Sequence, residues 1–258
     1  MNKPADSADY LRRKREFDRL LTIYGRKPVL EALQDNTIPI ARLHLADSNK
    51  PGGIVSDIVA LANRRNVDIK YHSREALSRI SRNAKQDQGV AADLACENYH
   101  ALDDFLAGAN TPFRVIALDG ITNPQNLGMI IRSVCASTVS AILLPRKGCA
   151  EISPLVIKAS AGTLFKSPIV RCDDLATALQ TIAKTGADIA MLSSHDSIAL
   201  DDYKPTGSVV YVLGNETNGV SPATAKQCNL RLGIPMQRGV ESLNVAVTAA
   251  LLAFKGSI

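Results

Sequence analysis

Apolar and polar positions along this chain change period several times, and each change marks an element. Beyond a polar, basic amino-terminal stretch, Pro28 to Leu33 (PVLEAL) has the spacing of a short helix and Ile40 to Leu45 (IARLHL) alternates as a half-buried strand. Ile54 to Asn63 (IVSDIVALAN) is helix-like, Val67 to Tyr71 is a short strand, a polar helix starts at Ser73, and Val90 to Ala95 is again a strand. Strands alternating with helices at this spacing predict a small α/β domain over residues 21–97. Residues 98–112 carry Gly108, Asn110 and Pro112 and have the punctuation of a linker with one helical turn.

A second alternating series occupies residues 113–258. Arg114 to Leu118 (RVIAL) is a strand. In the helix from Asn126 to Ser137, Leu127, Ile130, Ile131, Val134 and Cys135 recur at the spacing of one buried face. Ala141 to Leu144, Ile189 to Leu192 and Val209 to Leu213 are short, unbroken apolar runs, the pattern of parallel strands covered on both sides. Leu243 to Phe254 closes the series as an apolar helix.

Composition narrows the class. With 258 residues, 46% hydrophobic and 21% charged, the chain has an ordinary globular balance and room for two cores. Its longest uncharged apolar run, Val245 to Phe254, is half the length that a bilayer span needs, and the start of the chain has no apolar core for a signal peptide. The expectation is a cytoplasmic protein with no membrane contact. Cys96, Cys135, Cys149, Cys172 and Cys228 are scattered, and the four histidines lack ligand spacing, so neither disulfides nor a metal is expected.

Charge is unevenly placed. Arg12, Arg13, Lys14, Arg15, Arg19, Arg26 and Lys27 outnumber Glu16 and Asp18 between Tyr10 and Lys27, and this excess accounts for the whole formal net charge of +5. A basic arm over residues 1–20 therefore suits phosphate contact, with Arg26 joining it, although a solvated helix face would have the same composition.

The usual nucleotide and hydrolase motifs are absent: no G-x-G-x-x-G, no G-x-x-x-x-G-K-[ST] and no G-x-S-x-G. Ser194, His195 and Asp196 contain the letters of a catalytic triad, but sequence neighbours point to different faces, so a strand-end loop is the better reading. Three other segments place Gly, Asn and small polar residues at strand ends: Asp119 to Arg132 (DGITNPQNLGMIIR), in which Asn126 could cap the helix, Leu213 to Ser221 (LGNETNGVS), and Ile234 to Val247 (IPMQRGVESLNVAV).

In order and spacing these segments, N-L-G-x-I-x-R-S, L-G-N-E-x-x-G-V and I-P-M with S-L-N-V-A-V, resemble the three signature motifs of the SpoU (TrmH) family of RNA ribose 2′-O-methyltransferases in the SPOUT superfamily. The amino-terminal part is similar to the L30e-like substrate-binding domain of ribosomal-RNA members through Tyr24-Gly25, Val29, Glu31-Ala32-Leu33 and Gln88-Gly89-Val90-Ala91, departing at Asp87, where His is usual. The resemblance implies an α/β fold with a parallel sheet and a deep trefoil knot, a homodimer, and S-adenosylmethionine as methyl donor. It implies donor binding by Gly214, Ile234 and Leu243 with Leu192, Ser193, Asn215 and Met236 nearby. It also implies a catalytic set of Arg132, Asn126, Glu216, Ser242 and Asn244, in which Glu216 holds loops or Arg132 in place. The substrate implied is structured RNA, 23S ribosomal RNA in preference to tRNA, with a non-catalytic ribosome-assembly factor of the same fold as the rival.

Overall fold

A computed structural model describes residues 20–96, 99–193 and 197–255. The basic arm with Arg12, Arg13, Lys14, Arg15 and Arg19, and the Ser194 to Asp196 segment, lie outside the described residues. The chain folds as two compact units, divided after Glu97, with Ile152–Pro154 belonging to the first.

In the first unit the elements run β1 (Leu20–Tyr24), α1 (Arg26–Gln34), β2 (Ile40–Ala46), α2 (Gly53–Arg64), β3 (Asp68–His72), α3 (Arg74–Ser81) and β4 (Val90–Ala95). The strands form a sheet in the order β1-β4-β2-β3, antiparallel except for the β2–β3 pair. Val29, Leu33, Leu43, Ile58, Leu77 and Leu94 fill its core. Arg65 ties α1 down, its guanidinium donating to the carbonyls of Ala32, Leu33, Asp35 and Ile38. These carbonyls at and beyond the helix end have no partner within the helix, so the charged donor supplies what a C-cap would.

The second unit contains β5 (Tyr99–Ala101), α4 (Leu102–Gly108), β6 (Arg114–Leu118), α5 (Pro124–Cys135), β7 (Ala141–Pro145), α6 (Pro154–Ala159), β8 (Ile169–Cys172), α7 (Leu175–Ala183), β9 (Asp188–Leu192), β10 (Ile198–Ala199), β11 (Val209–Leu213), α8 (Pro222–Ala225), β12 (Leu230–Gly233) and α9 (Val245–Phe254). All neighbouring strands are parallel in one eight-stranded sheet, ordered β10-β12-β9-β11-β6-β7-β8-β5. Leu175, Ala178, Leu179 and Ile182 of α7 pack with Val115, Ala117, Val210 and Val212 of the central strands, while α5 packs against α9. Because both faces of the central strands are covered, β6, β7 and β11 read in sequence as uniform apolar runs.

Two expectations need correction. The segment 98–112 is not a linker: Tyr99–Ala101 pairs with Ile169–Arg171 as the edge strand, and α4 packs beside it, because Leu102, Phe105 and Leu106 give that polar-looking stretch an apolar face. The cap of α5 is Asn123, whose side chain accepts from the amides of Gln125 and Asn126. With Pro124 at the first helical position, the turn starts before Asn126 and carries that residue inward.

Candidate active site

The chain leaves β6 toward β7 on one side and leaves β11 toward β12 on the other. The carboxyl ends of β6 and β11 are adjacent, so the loops after them flank a topological switch point, the place where open parallel sheets bind ligands. The first two segments singled out above begin at these neighbouring strand ends, and the third begins at the end of β12, two strands further along the sheet.

Hydrogen bonds stitch the loops together. Asp119 accepts from the amide of Ser221 through its carboxylate at 2.7 Å, and its own amide donates to the carbonyl of Leu213. Asn215 donates to the carbonyl of Gly120 at 2.9 Å and accepts from the amides of Thr217 and Asn218, closing a tight turn with Gly219. Gly214 is required by that turn. A Cβ built there would sit 2.2 Å from the Gly219 carbonyl carbon and 2.3 Å from the Val220 nitrogen, so no side chain fits.

Asn126 is 7% exposed and stands at the centre of a polar cluster. It donates through Nδ2 to Glu216 Oε1 and accepts at Oδ1 from Asn244 Nδ2 at 3.1 Å. Asn244 in turn caps α9, accepting from the amide of Ala246 at 2.8 Å. One residue from each of the three segments therefore meets in a single chain of hydrogen bonds, spanning 118 residues of sequence. Of the two expected partners of Glu216, loops or Arg132, the bond seen is to Asn126, which faces inward from the first turn of α5, while Arg132 is exposed near the helix end. The motif glycine of α5, Gly128, serves packing: a Cβ there would meet Ala159 Cβ at 2.5 Å.

At the ends of the adjacent strands β9, β11 and β12 lie Leu192, Ser193, Gly214, Asn215, Ile234 and Met236, with Leu243 just before α9, all partly buried. Ser242 is exposed beside Asn244. Arg26 lies in the first unit, its guanidinium donating to the Gln88 carbonyl and to Asn49. Sequence reasoning passed over Asp119 and Gly233. The first was signalled only by an acid directly after a buried strand; the second is crowded by Ser197 Oγ, 2.2 Å from a built Cβ.

The site's chemistry is that of neutral amides, the two carboxylates of Asp119 and Glu216, and one guanidinium. Burial pushes the thiol of Cys149, beside the Leu118 carbonyl, above its ordinary range, and that of Cys172 up to about 12, so neither offers a thiolate nucleophile at neutral pH. Among the described residues no three His, Cys, Asp or Glu side chains gather as a metal would require, and no helix is long and apolar enough to cross a membrane.

Comparison with known proteins places these features in company. The family model described as "SpoU rRNA Methylase family" matches residues 114–254, and that described as "RNA 2'-O ribose methyltransferase substrate binding" matches residues 22–100. A Mycobacterium tuberculosis protein named "Uncharacterized tRNA/rRNA methyltransferase" is 33% identical over 237 residues, 91% of this chain and 73% of the relative. Among solved structures, the AdoMet-bound rRNA methyltransferase from Sinorhizobium meliloti superposes with a TM-score of 0.59 at 23% identity, covering 95% of this chain and 89% of that one. The SpoU methyltransferase from Streptomyces viridochromogenes in complex with AdoMet gives 0.59 at 20% identity, with coverage of 96% and 92%.

Proposed function

Because this chain belongs to the SpoU rRNA methylase family, we propose that it transfers a methyl group from S-adenosylmethionine to a ribose 2′-hydroxyl of structured RNA, 23S ribosomal RNA in preference to tRNA. The single observation that carries the reading to these residues is the Glu216–Asn126–Asn244 chain, which gathers the three motifs at the switch point.

The residues present fit the donor. Leu192, Ile234, Met236 and Leu243 sit at or beyond the ends of core strands yet are only partly buried, which leaves apolar surface for a purine. Bound there, S-adenosylmethionine supplies an electrophilic methyl group on a sulfonium sulfur. Everything else falls to the protein. The ribose oxygen must be held in line with that carbon, so that the new C–O bond forms as the C–S bond breaks to leave a neutral thioether, and the charge growing on the oxygen must be stabilised as its proton passes to solvent water. A guanidinium has donors and no acceptor, so Arg132 serves by orienting the neighbouring phosphate and stabilising the developing alkoxide. Ser242 and Asn244 offer neutral donors and acceptors suited to ribose and phosphate. Glu216 acts as a positioning residue: it fixes the Asn126 carboxamide, whose oxygen then holds Asn244.

The test supplies radiolabelled S-adenosylmethionine with 23S rRNA, 16S rRNA or bulk tRNA, followed by digestion to nucleosides. Label is expected as a 2′-O-methylnucleoside from 23S rRNA; label on bases, or from tRNA alone, overturns the assignment.

The reading extends to assembly and to the arm, and places the enzyme in the cytoplasm, where its substrate is found. On α9, Val247 and Leu251 are 49% and 46% exposed, and Met129 of the packed α5 is 42% exposed, an apolar surface suited to a homodimer. Sedimentation is expected to give the mass of two chains at micromolar concentration, and a monomer there would refute it. If Arg12, Arg13, Lys14, Arg15 and Arg19 contact phosphates, deleting residues 1–20 lowers the log-log salt slope of RNA binding by about one unit per lost contact and leaves donor affinity unchanged. Equal slopes for the two proteins would remove the arm from the interface.

A further inference from the structure

The first unit contains a cleft of about 440 Å³ lined by Tyr24, Arg26, Lys27, Ile54, Gln86 and Gln88. That volume falls in the range of about 300–1,000 Å³ typical of small-ligand sites. Its walls combine an aromatic ring and an aliphatic side chain with two carboxamides and two cations, the materials from which proteins build sites for unstacked bases.

One wall is held with unusual firmness. Asp87, fully buried, accepts from the Gly89 amide at 2.9 Å, from Ser81 Oγ at 2.9 Å and from Ser78 Oγ at 3.2 Å, and pairs with Arg74 at 3.0 Å. This departure from the usual His thereby anchors the loop that carries both glutamines. Gln88, in a left-handed conformation at φ 51°, returns to α1, where its Oε1 accepts from the Arg26 amide at 3.2 Å. Gln86 Oε1 accepts from Asn83 Nδ2 at 3.3 Å.

These bonds determine what the cleft offers. A carboxamide has one accepting oxygen and one donating nitrogen. Each oxygen already accepts one bond from within the protein while the two N–H groups of each carboxamide are left to give, and Lys27 adds further donors, so what the wall has to offer is mainly donating. Such a wall favours acceptors on its ligand. Uracil and guanine present a carbonyl oxygen, O4 or O6, where cytosine and adenine present an amino group. An amino group facing these nitrogens would set donor against donor, which disfavours adenine and cytosine in that orientation.

We propose that this cleft receives one unpaired nucleotide of the RNA substrate and selects a keto base, uracil or guanine, through the Gln86 and Gln88 carboxamides, with Lys27 on the flanking phosphate. The proposal rests on the RNA-methyltransferase reading above and adds a determinant of which RNA is chosen, outside the unit that carries the chemistry.

Four RNA hairpins identical except for one bulged nucleotide, A, C, G or U, provide the probe, with affinity for the full-length protein read by fluorescence anisotropy. The U and G hairpins are expected to bind roughly tenfold more tightly than the A and C hairpins. Gln88→Glu keeps the oxygen that accepts from Arg26 but replaces the donating nitrogen, so the keto preference should disappear. Lys27→Gln should weaken all four hairpins alike. Gln86→Glu gives the same readout as Gln88→Glu should the latter fail to fold, as judged by circular dichroism. Equal binding of the four hairpins by the wild type, or an intact preference in a folded glutamate variant, would overturn the proposal. So would competition by free uridine monophosphate at micromolar concentration, which would indicate a mononucleotide site. Donor affinity, measured by calorimetry in parallel, is expected to be the same in every variant. Its absence from the wild type would count against the methyltransferase reading and leave the base preference to be judged separately.

Discussion

Arg132→Ala is expected to lower methyl transfer by about 100- to 1,000-fold while leaving the affinity for S-adenosylmethionine unchanged. The size follows from the role proposed above, a cationic donor where charge develops, which the neutral amides of the cluster cannot replace. Arg132 is exposed at the end of α5, roughly 9 Å along the helix axis from Asn126, and takes no part in the hydrogen bonds that hold the loops together. Its loss should therefore cost chemistry and RNA placement without disturbing the fold. Arg132→Lys should recover little, because an ammonium cannot present the planar, paired donors of a guanidinium. Calorimetry showing that a folded Arg132→Ala protein no longer binds the donor would reverse the division of roles.

Gly214→Val should produce the opposite pattern, loss of donor binding first and of methyl transfer as its consequence. A Cβ at this position meets backbone atoms of Gly219 and Val220 inside van der Waals contact, and the backbone cannot swing aside as a flexible side chain could. The turn over 215–219 must open, which displaces Asn215 from Gly120 and moves Glu216 away from Asn126. A stability loss of about 1–3 kcal/mol is expected from overpacking alone. RNA affinity should survive, because the proposed nucleotide cleft belongs to the other unit. Normal donor affinity in Gly214→Val would show that this turn is not part of the donor site.

How far these roles were legible beforehand depended on where the information lies. Central strands such as Arg114–Leu118 and Val209–Leu213 were evident because burial on both faces leaves only one kind of sequence, an apolar run. The short elements at and next to the sheet edges were not. Tyr99–Ala101 and Leu230–Gly233 are short and only partly covered, so no period develops, and pairing with a distant strand decides their state. The motif residues were legible by their order, but their connections were not. That Asn126 bonds Glu216 and Asn244, and that Asn123 caps the helix, depends on a one-turn difference in where α5 begins. His44 and His72 show the same limit in the first unit: no spacing links them, yet the parallel pairing of β2 with β3 brings their rings to 2.9 Å, with His44 also bonded to buried Asp93.

The hydrogen-bond chain through Asn126 also constrains the order in which the protein can become active. Its two outer members are separated by 90 and 118 residues from the central asparagine, so closing it involves loops as long as a small domain. The same far segment is fastened a second time: Lys255 Nζ donates to the Leu200 carbonyl and Arg114 donates to the Lys255 carbonyl. Until residues 244–255 have been made and docked, the Asn126 oxygen lacks its partner and α5 lacks the helix that covers it. A nascent chain can thus complete its first unit, with the cleft proposed for RNA, well before the proposed catalytic residues are brought together. On that reading recognition of RNA precedes reactivity as each chain is made, and an unfinished chain bound to RNA is chemically silent.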